Sequence, residues 1–449
     1  MPDPVVPQTG SLQPAFAMMP NPHPPNLTQW KGWPSEEQQC DEQGCWPRLF
    51  IIGTQKGASS SLFNVLHQEG IACGTTMNDA VHQALPSAFA ALAQPLLFTA
   101  GGLIKEAHML DMSKPDWRTL MERPELYRSL YRIKDCPQRT FLDATPKYIR
   151  HPGAPSRLVE LMPASWLPQL RVVLSIREPV ARDLSWFNHK SATLGRLSKN
   201  DSRAGLVSQF CSLSEDSSWG DYPTYEREVS CRKQELSNCM NAARLRLNEK
   251  GEGASQNVSK GYDASSLEDY SECMEATWHN KRSRSDPTSS EWDDESTPWD
   301  LPAGVLPGGD PLLLAFGMYL PQIRAWSRRL FRSQILVLDF DRLVARPDDI
   351  LPRVTSFMGL PALRSNVLPH ENEQPYARKV DVISCDTAQA LHGVFGEWND
   401  RLALALREDV ERGNAPSQES LFEGFNATVP CENEEHVSLA NQQQENVDT

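Results

Sequence analysis

Residues 48–70 read RLFIIGTQKGASSSLFNVLHQEG, and this stretch decides the fold class. The apolar run at 49–52 ends at Gly53 and predicts a short buried strand. A loop rich in glycine and serine follows it. At 61–68 apolar residues recur at helical spacing before Gly70, which predicts a helix that ends there. This strand–loop–helix order is typical of an α/β protein.

Two more strand–helix units follow the first one. Residues 171–176, RVVLSI, form a β-branched run that predicts a strand, with a helix from about residue 180. Residues 334–340, QILVLDF, predict another strand before a helix at 347–358. Strands that alternate with helices form parallel sheets. We therefore expect an α/β, P-loop-like three-layer fold, in which helices flank a central parallel sheet, plus a polar insertion.

Composition shifts along the chain predict its domain organisation. Residues 1–45 hold nine prolines and little apolar periodicity, so we expect a disordered leader there. One folded domain is expected over 46–415. Within it, 199–308 read as an insertion that is partly disordered, because its later part is polar and acidic. The polar tail at 416–449 is expected to be disordered.

Charge and hydropathy exclude several classes of protein. The 449 residues carry a formal net charge of -14, which argues against a surface that coats nucleic acid or another polyanion. We expect no transmembrane helix, since no run of about 20 unbroken apolar residues occurs. The N-terminus also lacks the pattern of a signal peptide.

The ten cysteines leave the redox compartment open, because no C-x-x-C pair occurs. Cys231 and Cys239 could pair with each other, or with Cys211 or Cys273. In a reducing compartment they would be small buried apolar residues. No metal-ligand spacing is present, so no metal site is expected.

The loop at 53–61, GTQKGASSS, has the composition of an oxyanion site. Its backbone N–H groups could wrap an anion, and the N-terminus of the following helix adds partial positive charge. Lys56 is the one cation in the loop. The order of residues differs from the G-x4-G-K-[ST] loop of nucleoside triphosphatases, because the lysine precedes the second glycine.

A second motif starts where the strand at 171–176 ends. Arg177 stands at that point and Ser185 lies about two helical turns further on. Ligands of open α/β sheets bind at the carboxyl ends of the strands. Arg177 is therefore placed to fork onto a phosphate, and Ser185 to donate a hydroxyl.

Together, at this separation and in this order, the two motifs resemble those of sulfotransferases that use 3′-phosphoadenosine 5′-phosphosulfate (PAPS). Four stretches carry the main resemblance: IIGTQKGASSSL at 51–62 for the 5′-phosphosulfate loop, IREPVARDLSWFNH at 176–189 for the 3′-phosphate motif, FLDATPKY at 141–148, and the C-terminal half from 317 to 361. The stretch at 387–406 is similar to the closing helix of the Golgi carbohydrate branch, which includes chondroitin-, heparan- and GalNAc-sulfating members. The resemblance covers about 48–190 and 310–410.

The resemblance implies a role for each motif residue. Lys56 would contact the sulfuryl group and the bridging oxygen. The backbone and hydroxyls of the loop would hold the 5′-phosphate, which involves Gly57, Ala58, Ser59 and Ser60. Arg177 and Ser185 would hold the 3′-phosphate. Lys379 lies in a late loop that closes over the nucleotide in related enzymes, and the family needs no metal.

The base that deprotonates the acceptor hydroxyl is expected in the segment after the first helix. In the carbohydrate branch it is usually acidic, within a Lys-Glu-x-x-aromatic pattern. The segment here, GTTMNDAVHQ at 74–83, departs from that pattern. Asp79 and His82 are the candidates, since three residues apart they could share one helix face. Lys147 and Tyr148 could contact the acceptor or the nucleotide.

The resemblance implies sulfuryl transfer from PAPS to a hydroxyl of a carbohydrate or glycan acceptor, without nucleic acid as a partner. Two other functions stay open: a P-loop-type kinase, and a non-catalytic relative that keeps the fold. The Golgi lumen is the location that the branch implies, with a membrane contact only if an N-terminal anchor precedes this sequence. A cytosolic protein is the alternative.

Overall fold

A computed structural model describes the part of the chain that forms the sheet and its flanking helices. The described residues are 40–41, 44–75, 81, 84, 105–112, 114–132, 136, 140–151, 153–195, 212, 224–249, 312–369, 380–420, 422–425 and 431–432. Within them, no helix is long and apolar enough to cross a membrane.

The described strands are short, and they fall into one central sheet and two small pairs. In chain order they are β1 (Cys40–Asp41), β2 (Gly44–Cys45), β3 (Leu49–Gly53), β4 (Leu142–Asp143), β5 (Arg171–Ile176), β6 (Ile335–Asp339), β7 (Ile383–Ser384) and β8 (Cys431–Glu432). The central sheet has the order β4-β3-β5-β6, and every neighbouring pair in it is parallel. β1 and β2 form an antiparallel pair, and β7 and β8 a parallel one.

The described part of the chain also contains α-helices before and after these strands. They are α1 (Ser59–Gln68), α2 (Lys114–Glu122), α3 (Glu125–Arg128), α4 (Ala154–Leu161), α5 (Pro179–Gly195), α6 (Tyr225–Glu249), α7 (Leu312–Ala315), α8 (Tyr319–Ser327), α9 (Phe340–Ala345), α10 (Pro347–Met358) and α11 (Cys385–Glu411). Short 3₁₀ turns lie at Tyr148–Arg150, Leu167–Gln169 and Arg332–Gln334.

Both faces of the central sheet are buried, because side chains alternate along each strand. Phe50 and Ile52 of β3 point into one core with residues of α4, α8 and the C-terminal half of α11. Leu49 and Ile51 point into the opposite core with α1 and α10. The predicted three-layer fold, with helices on both faces of a parallel sheet, is confirmed.

α6 belongs to the packed structure although it lies within the predicted insertion at 199–308. Its Arg232 is fully buried and pairs with Asp183 of α5 at 3.1 Å and with Glu228 at 2.7 Å. The hydroxyl of Tyr225 also donates to Asp183, at 3.0 Å. These buried ion pairs and the Tyr225 hydrogen bond hold α6 against α5.

The disulfides answer one question that the cysteine pattern left open. Cys40–Cys45, Cys73–Cys136 and Cys385–Cys431 are bonded, and Cys231 and Cys239 of α6 are also disulfide-bonded. Eight residues on a helix span about 12 Å, which is beyond the reach of one disulfide. The possibilities that Cys231 and Cys239 pair with each other, or remain thiols, are therefore wrong.

Packed structure extends past both predicted domain ends. At the N-terminal end, β1 and β2 precede residue 46 and carry the Cys40–Cys45 disulfide. At the C-terminal end, the buried carboxylate of Glu419 pairs with Arg332. It also accepts a hydrogen bond from the backbone N–H of Val337 in β6, at 3.0 Å. Residues just after 415 therefore pack against the central sheet rather than forming a disordered tail.

Candidate active site

The loop after β3 is tied to the neighbouring strand β5. The backbone N–H and the hydroxyl of Thr54 both donate to the carbonyl oxygen of Ser175, at 2.8 and 3.0 Å. The N–H of Gly57 donates to the carbonyl of Thr54, at 2.9 Å. Lys56 and Ala58 have left-handed backbones, with φ of 68° and 64°. These contacts close a tight turn at the carboxyl edge of the sheet.

Gly57 is required by the close approach of this turn to β5. A Cβ atom at residue 57 would lie 2.5 Å from the hydroxyl oxygen of Thr54 and 2.6 Å from the carbonyl oxygen of Ser175. Real Cβ contacts are not that short, so any other residue would push the loop off the strand. The glycine therefore sets the position of the residues on both sides of it.

α1 begins directly after the turn with an N-terminus that is open for an anion. No described side chain caps the helix, and its first turn holds no acidic residue. The first N–H groups of a helix have no partner within the helix. Together with the partial positive charge of the helix N-terminus, they make a site for a phosphate or sulfate oxygen.

Lys56 lies in this turn within a group of cations. Burial lowers the pKa of Lys56 most, and Lys190, Lys105 and Arg177 lower it further, to about 8. Three other positive charges therefore act on one ammonium group. Such a concentration of positive charge favours an anion between them.

Arg177 follows β5 and meets the Lys56 turn. Its Nη1 donates to the carbonyl oxygen of Lys56, at 3.4 Å, and its guanidinium lies over the ring of Phe340, 4.7 Å from the centroid. The hydroxyl of Tyr319 holds the Arg177 carbonyl, at 2.7 Å. The Nε atom of Arg177 is buried and has no hydrogen-bond partner among the described residues.

Ser185 lies on α5, the helix that begins just after Arg177. Glu178 is buried and accepts the backbone N–H of Ala181, at 2.7 Å, which fixes the start of the helix. Ser185 is half-buried two turns further on. Lys190, one turn beyond it, is the cation that acts on Lys56 most strongly. α5 thus links the Arg177 motif to the Lys56 turn.

Lys105 joins this site, and the sequence analysis missed it. Its Nζ lies 3.1 Å from the hydroxyl of Ser60 and 3.5 Å from that of Ser59. It also pairs with the carboxylate of Glu106, at 2.7 Å. Both side chains are about nine-tenths buried. The first turn of α1 therefore has a second lysine beside it, and a carboxylate beside that lysine.

Glu106 continues into a charged row with His108 and Asp111. The Nε2 of His108 lies 3.0 Å from Glu106, and its Nδ1 lies 3.0 Å from Asp111. Burial would lower the pKa of His108, but Asp111 and Glu106 raise it to about 9. Burial would raise the pKa of Glu106, but Lys105 and His108 lower it to about 2. At neutral pH the imidazole is charged and Glu106 is ionised.

The base that the sequence analysis expected is not among these residues. Asp79, His82 and Lys379 lie outside the described residues, so their placement stays a prediction. A signal for Lys105 and Glu106 was nevertheless present. The family's Lys-Glu pattern occurs at 105–106 in KEAHM, with a methionine where the aromatic residue is expected. This pattern lies about 30 residues further along the chain than the segment at 74–83, where the base was expected.

Tyr148 is fully buried, so its side chain offers no surface for the predicted contact with an acceptor or a nucleotide. Its hydroxyl donates to the carboxylate of Asp143, at 2.9 Å. Burial raises the pKa of Asp143 to about 6 despite hydrogen bonds from Thr145 and Tyr148. These residues lie beneath the segment that carries Lys105, Glu106 and His108.

Comparison with known proteins gives little beyond the fold. No family model matches the chain, and no curated protein matches it. Among solved structures, the chain is similar to a sulfotransferase from Alicyclobacillus acidocaldarius, with 15% identity and a TM-score of 0.34. The match covers 80% of this chain and 96% of that one. This is a remote likeness of fold, so the function is argued from the site itself.

Proposed function

We propose that this protein transfers a sulfuryl group from PAPS to a hydroxyl of a carbohydrate acceptor. One observation carries the proposal. The Lys56 turn and Arg177 meet at the carboxyl ends of the adjacent strands β3 and β5, where the Arg177 guanidinium contacts the Lys56 carbonyl at 3.4 Å. A nucleotide with phosphates at both its 5′ and 3′ positions fits two such neighbouring anion sites.

Different described residues would bind each of the two phosphates. The open N-terminus of α1 and the hydroxyls of Ser59 and Ser60 would hold the 5′-phosphosulfate, with Lys56 at the bridging oxygen. The guanidinium of Arg177, which lies beside the Lys56 turn, would hold the 3′-phosphate, together with Ser185. Lys379 would add a third contact there. Positioning of this kind supplies most of the catalysis for a loose, in-line transfer.

In the transfer step, the acceptor oxygen attacks sulfur and the bond from sulfur to the bridging oxygen breaks. The electron pair of that bond stays on the 5′-phosphate, and the acceptor proton passes to a base. Lys56 and Lys105 stabilise the negative charge that develops on the leaving group. The product nucleotide is 3′,5′-bisphosphoadenosine.

Glu106 is the described residue best placed to receive the proton. Its carboxylate lies 2.7 Å from Lys105, which contacts Ser60 at the anion site. His108 holds the second carboxylate oxygen at 3.0 Å and so orients the group. Asp79 and His82 stay alternative candidates for this role.

The acceptor and the location of the protein are further proposals that rest on the resemblance. The carbohydrate branch acts on glycans in the Golgi lumen. The three disulfides with both cysteines described are consistent with the secretory pathway, because disulfides form in oxidising compartments. We therefore propose a glycan acceptor in that pathway.

Thermal unfolding with added nucleotide tests the binding part of the proposal. 3′,5′-Bisphosphoadenosine at a hundredfold excess over its Kd should raise Tm by about 5 °C, because it binds only the folded protein. ATP with magnesium should give a much smaller shift, whereas a P-loop-type kinase would show the reverse order.

Arg177→Met should abolish the shift caused by the bisphosphate. Arg171→Met is the matched control, because Arg171 lies at the opposite end of the same strand and donates to the Leu170 carbonyl at 2.9 Å. An equal shift in both variants would contradict the proposed site for the 3′-phosphate.

A further inference from the structure

The segment at 105–112 carries Lys105, Glu106 and His108, yet it is neither helix nor strand. His108 has a left-handed backbone, with φ of 54°, which is uncommon for a residue other than glycine. A segment without regular hydrogen bonding needs other partners for its backbone groups. Those partners determine where its side chains point.

Three side chains accept three consecutive N–H groups of this segment. The N–H of Ala107 donates to Oδ1 of Asp143, at 3.4 Å, and the N–H of His108 donates to the hydroxyl of Thr145, at 3.3 Å. The N–H of Met109 donates to the hydroxyl of Tyr148, at 2.9 Å. Asp143 is the last residue of β4 and the other two acceptors follow that strand closely, so the central sheet holds the segment.

Asp143 orients the other two acceptors. The hydroxyl of Thr145 donates to Oδ1 of Asp143 at 2.6 Å, and that of Tyr148 donates to Oδ2 at 2.9 Å. Each hydroxyl has one proton. Because that proton goes to the carboxylate, the lone pairs of both hydroxyls remain for the backbone N–H groups. Asp143 is completely buried, and Tyr127 also donates to it, at 3.2 Å.

Three further hydrogen bonds hold the same segment at its ends. The N–H of Ala144, just after β4, donates to the Lys105 carbonyl at 3.0 Å. Nη1 of Arg157 in α4 donates to the carbonyls of Leu110 and Met112, both at 2.9 Å. The backbone is thus bound on both sides of Glu106 and His108.

We infer that Asp143, Thr145 and Tyr148 are positioning residues, which fix the backbone at 107–109 so that Lys105 and Glu106 reach the anion site at Ser60. None of the three contacts the anion site, so they act through the segment that they hold. This inference rests on the proposed function, because it assigns catalytic contacts to Lys105 and Glu106.

Tyr148→Phe tests the inference, because it removes one oxygen and leaves the buried ring. Tyr131→Phe is the matched control: Tyr131 is also fully buried, and its hydroxyl contacts Tyr127 at 3.4 Å rather than the segment. In Tyr148→Phe, kcat for sulfuryl transfer should fall roughly tenfold to hundredfold, the scale expected for a small misplacement. The KM for PAPS should change less than kcat, and the Tm of Tyr148→Phe should match that of Tyr131→Phe, which shows an intact fold.

Amide hydrogen exchange tests the hydrogen bond from the Met109 N–H to the Tyr148 hydroxyl, and it requires no enzymatic activity. Exchange at Met109 should accelerate in Tyr148→Phe and stay unchanged in Tyr131→Phe. Thr145→Val should lower kcat in the same way, and Thr145→Ser should restore it, because only the hydroxyl is needed. A structural role of Thr145 in packing alone would not give this rescue.

The outcomes separate the inference from the proposed function. If the wild-type protein transfers sulfuryl groups and Tyr148→Phe matches Tyr131→Phe in kcat, the positioning role is overturned. If the wild-type protein transfers none, the proposed function fails, and exchange at 107–109 alone decides whether these residues fix the segment. Equal exchange rates at Met109 in Tyr148→Phe and Tyr131→Phe would then overturn the positioning role as well.

Discussion

Lys56 has a charge that depends on pH near neutrality, because burial and three neighbouring cations lower its pKa to about 8. A bound anion favours the charged form. The affinity for 3′,5′-bisphosphoadenosine should therefore be constant below pH 8 and fall up to about tenfold per unit above it. Titration calorimetry from pH 7 to 9.5 measures this.

Lys56→Arg is the matched variant for this experiment, because arginine stays charged across that range. Its affinity should lose the fall that starts near pH 8. The same fall in wild type and Lys56→Arg would show that a different group titrates, and that Lys56 does not face the nucleotide.

His108 links the charged row to stability. Its folded pKa of about 9 lies above the unfolded value of 6.5, so its stabilisation is complete below pH 6.5 and is lost as pH rises through 9. The free energy of unfolding of wild type should fall by about 3 kcal/mol more than that of His108→Asn over this window. Asparagine tolerates the left-handed backbone at this position.

Urea unfolding at pH 6 and pH 9.5 measures this difference. Lys56 titrates in the same range, but it does so in both proteins and cancels in the comparison. If the free energy of unfolding fell equally between pH 6 and pH 9.5 in wild type and His108→Asn, the imidazole would be neutral at pH 6. That result would contradict the ion pairs of His108 with Glu106 and Asp111.

The turn between β3 and α1 depends on one glycine. Gly57→Ala should cost about 1–3 kcal/mol, because its Cβ would meet Thr54 and Ser175 at 2.5 and 2.6 Å. It should also remove most of the bisphosphate affinity, since the N-terminus of α1 would shift.

Gly396→Ala is the control, because a Cβ there meets no atom within 4 Å and the residue lies inside α11. That variant should be neutral or more stable by up to about 1 kcal/mol. Chemical unfolding and calorimetry on both variants check this pair. Unchanged nucleotide binding in Gly57→Ala would mean that the turn is not the anion site.

The part of the site that lies at strand ends could be predicted from the sequence. Arg177 directly follows one apolar strand, Lys56 lies in the loop just after another, and parallel strands bring their carboxyl ends to one edge. Lys105 and Glu106 follow no strand, and about 50 residues separate them from Lys56. Their place depends on hydrogen bonds that the backbone N–H groups at 107–109 donate to Asp143, Thr145 and Tyr148. Such long-range contacts have no periodicity to detect.

At the scale of the whole molecule, the fold class followed from periodicity, but the ends of the folded region did not. Polar composition predicted a disordered tail after 415. One buried acid, Glu419, instead joins that segment to the sheet through Arg332 and Val337. Composition does not reveal a single buried ion pair, so it does not indicate that residues just after 415 pack on the sheet.

Glu419→Gln should destabilise the protein by about 3 kcal/mol, because it removes the charge of one of the two carboxylates that pair with the buried guanidinium of Arg332; the other is Asp409, at 2.9 Å. Glu423→Gln is the control, because Glu423 is mostly exposed and lies 3.9 Å from Arg342, so its loss should cost less than 1 kcal/mol. Guanidinium unfolding gives both values. Equal stabilities would mean that the segment after 415 does not pack on the sheet in solution.

Transfer of labelled sulfur from PAPS to a panel of glycans, with phenols and simple alcohols beside them, tests the central claim most directly. We predict that label moves to a glycan hydroxyl with release of one 3′,5′-bisphosphoadenosine per transfer, and that Glu106→Gln slows it by roughly 10²–10⁴-fold. Failure of the wild-type protein to transfer label to any hydroxyl, or full activity of Lys56→Met, would contradict the claim.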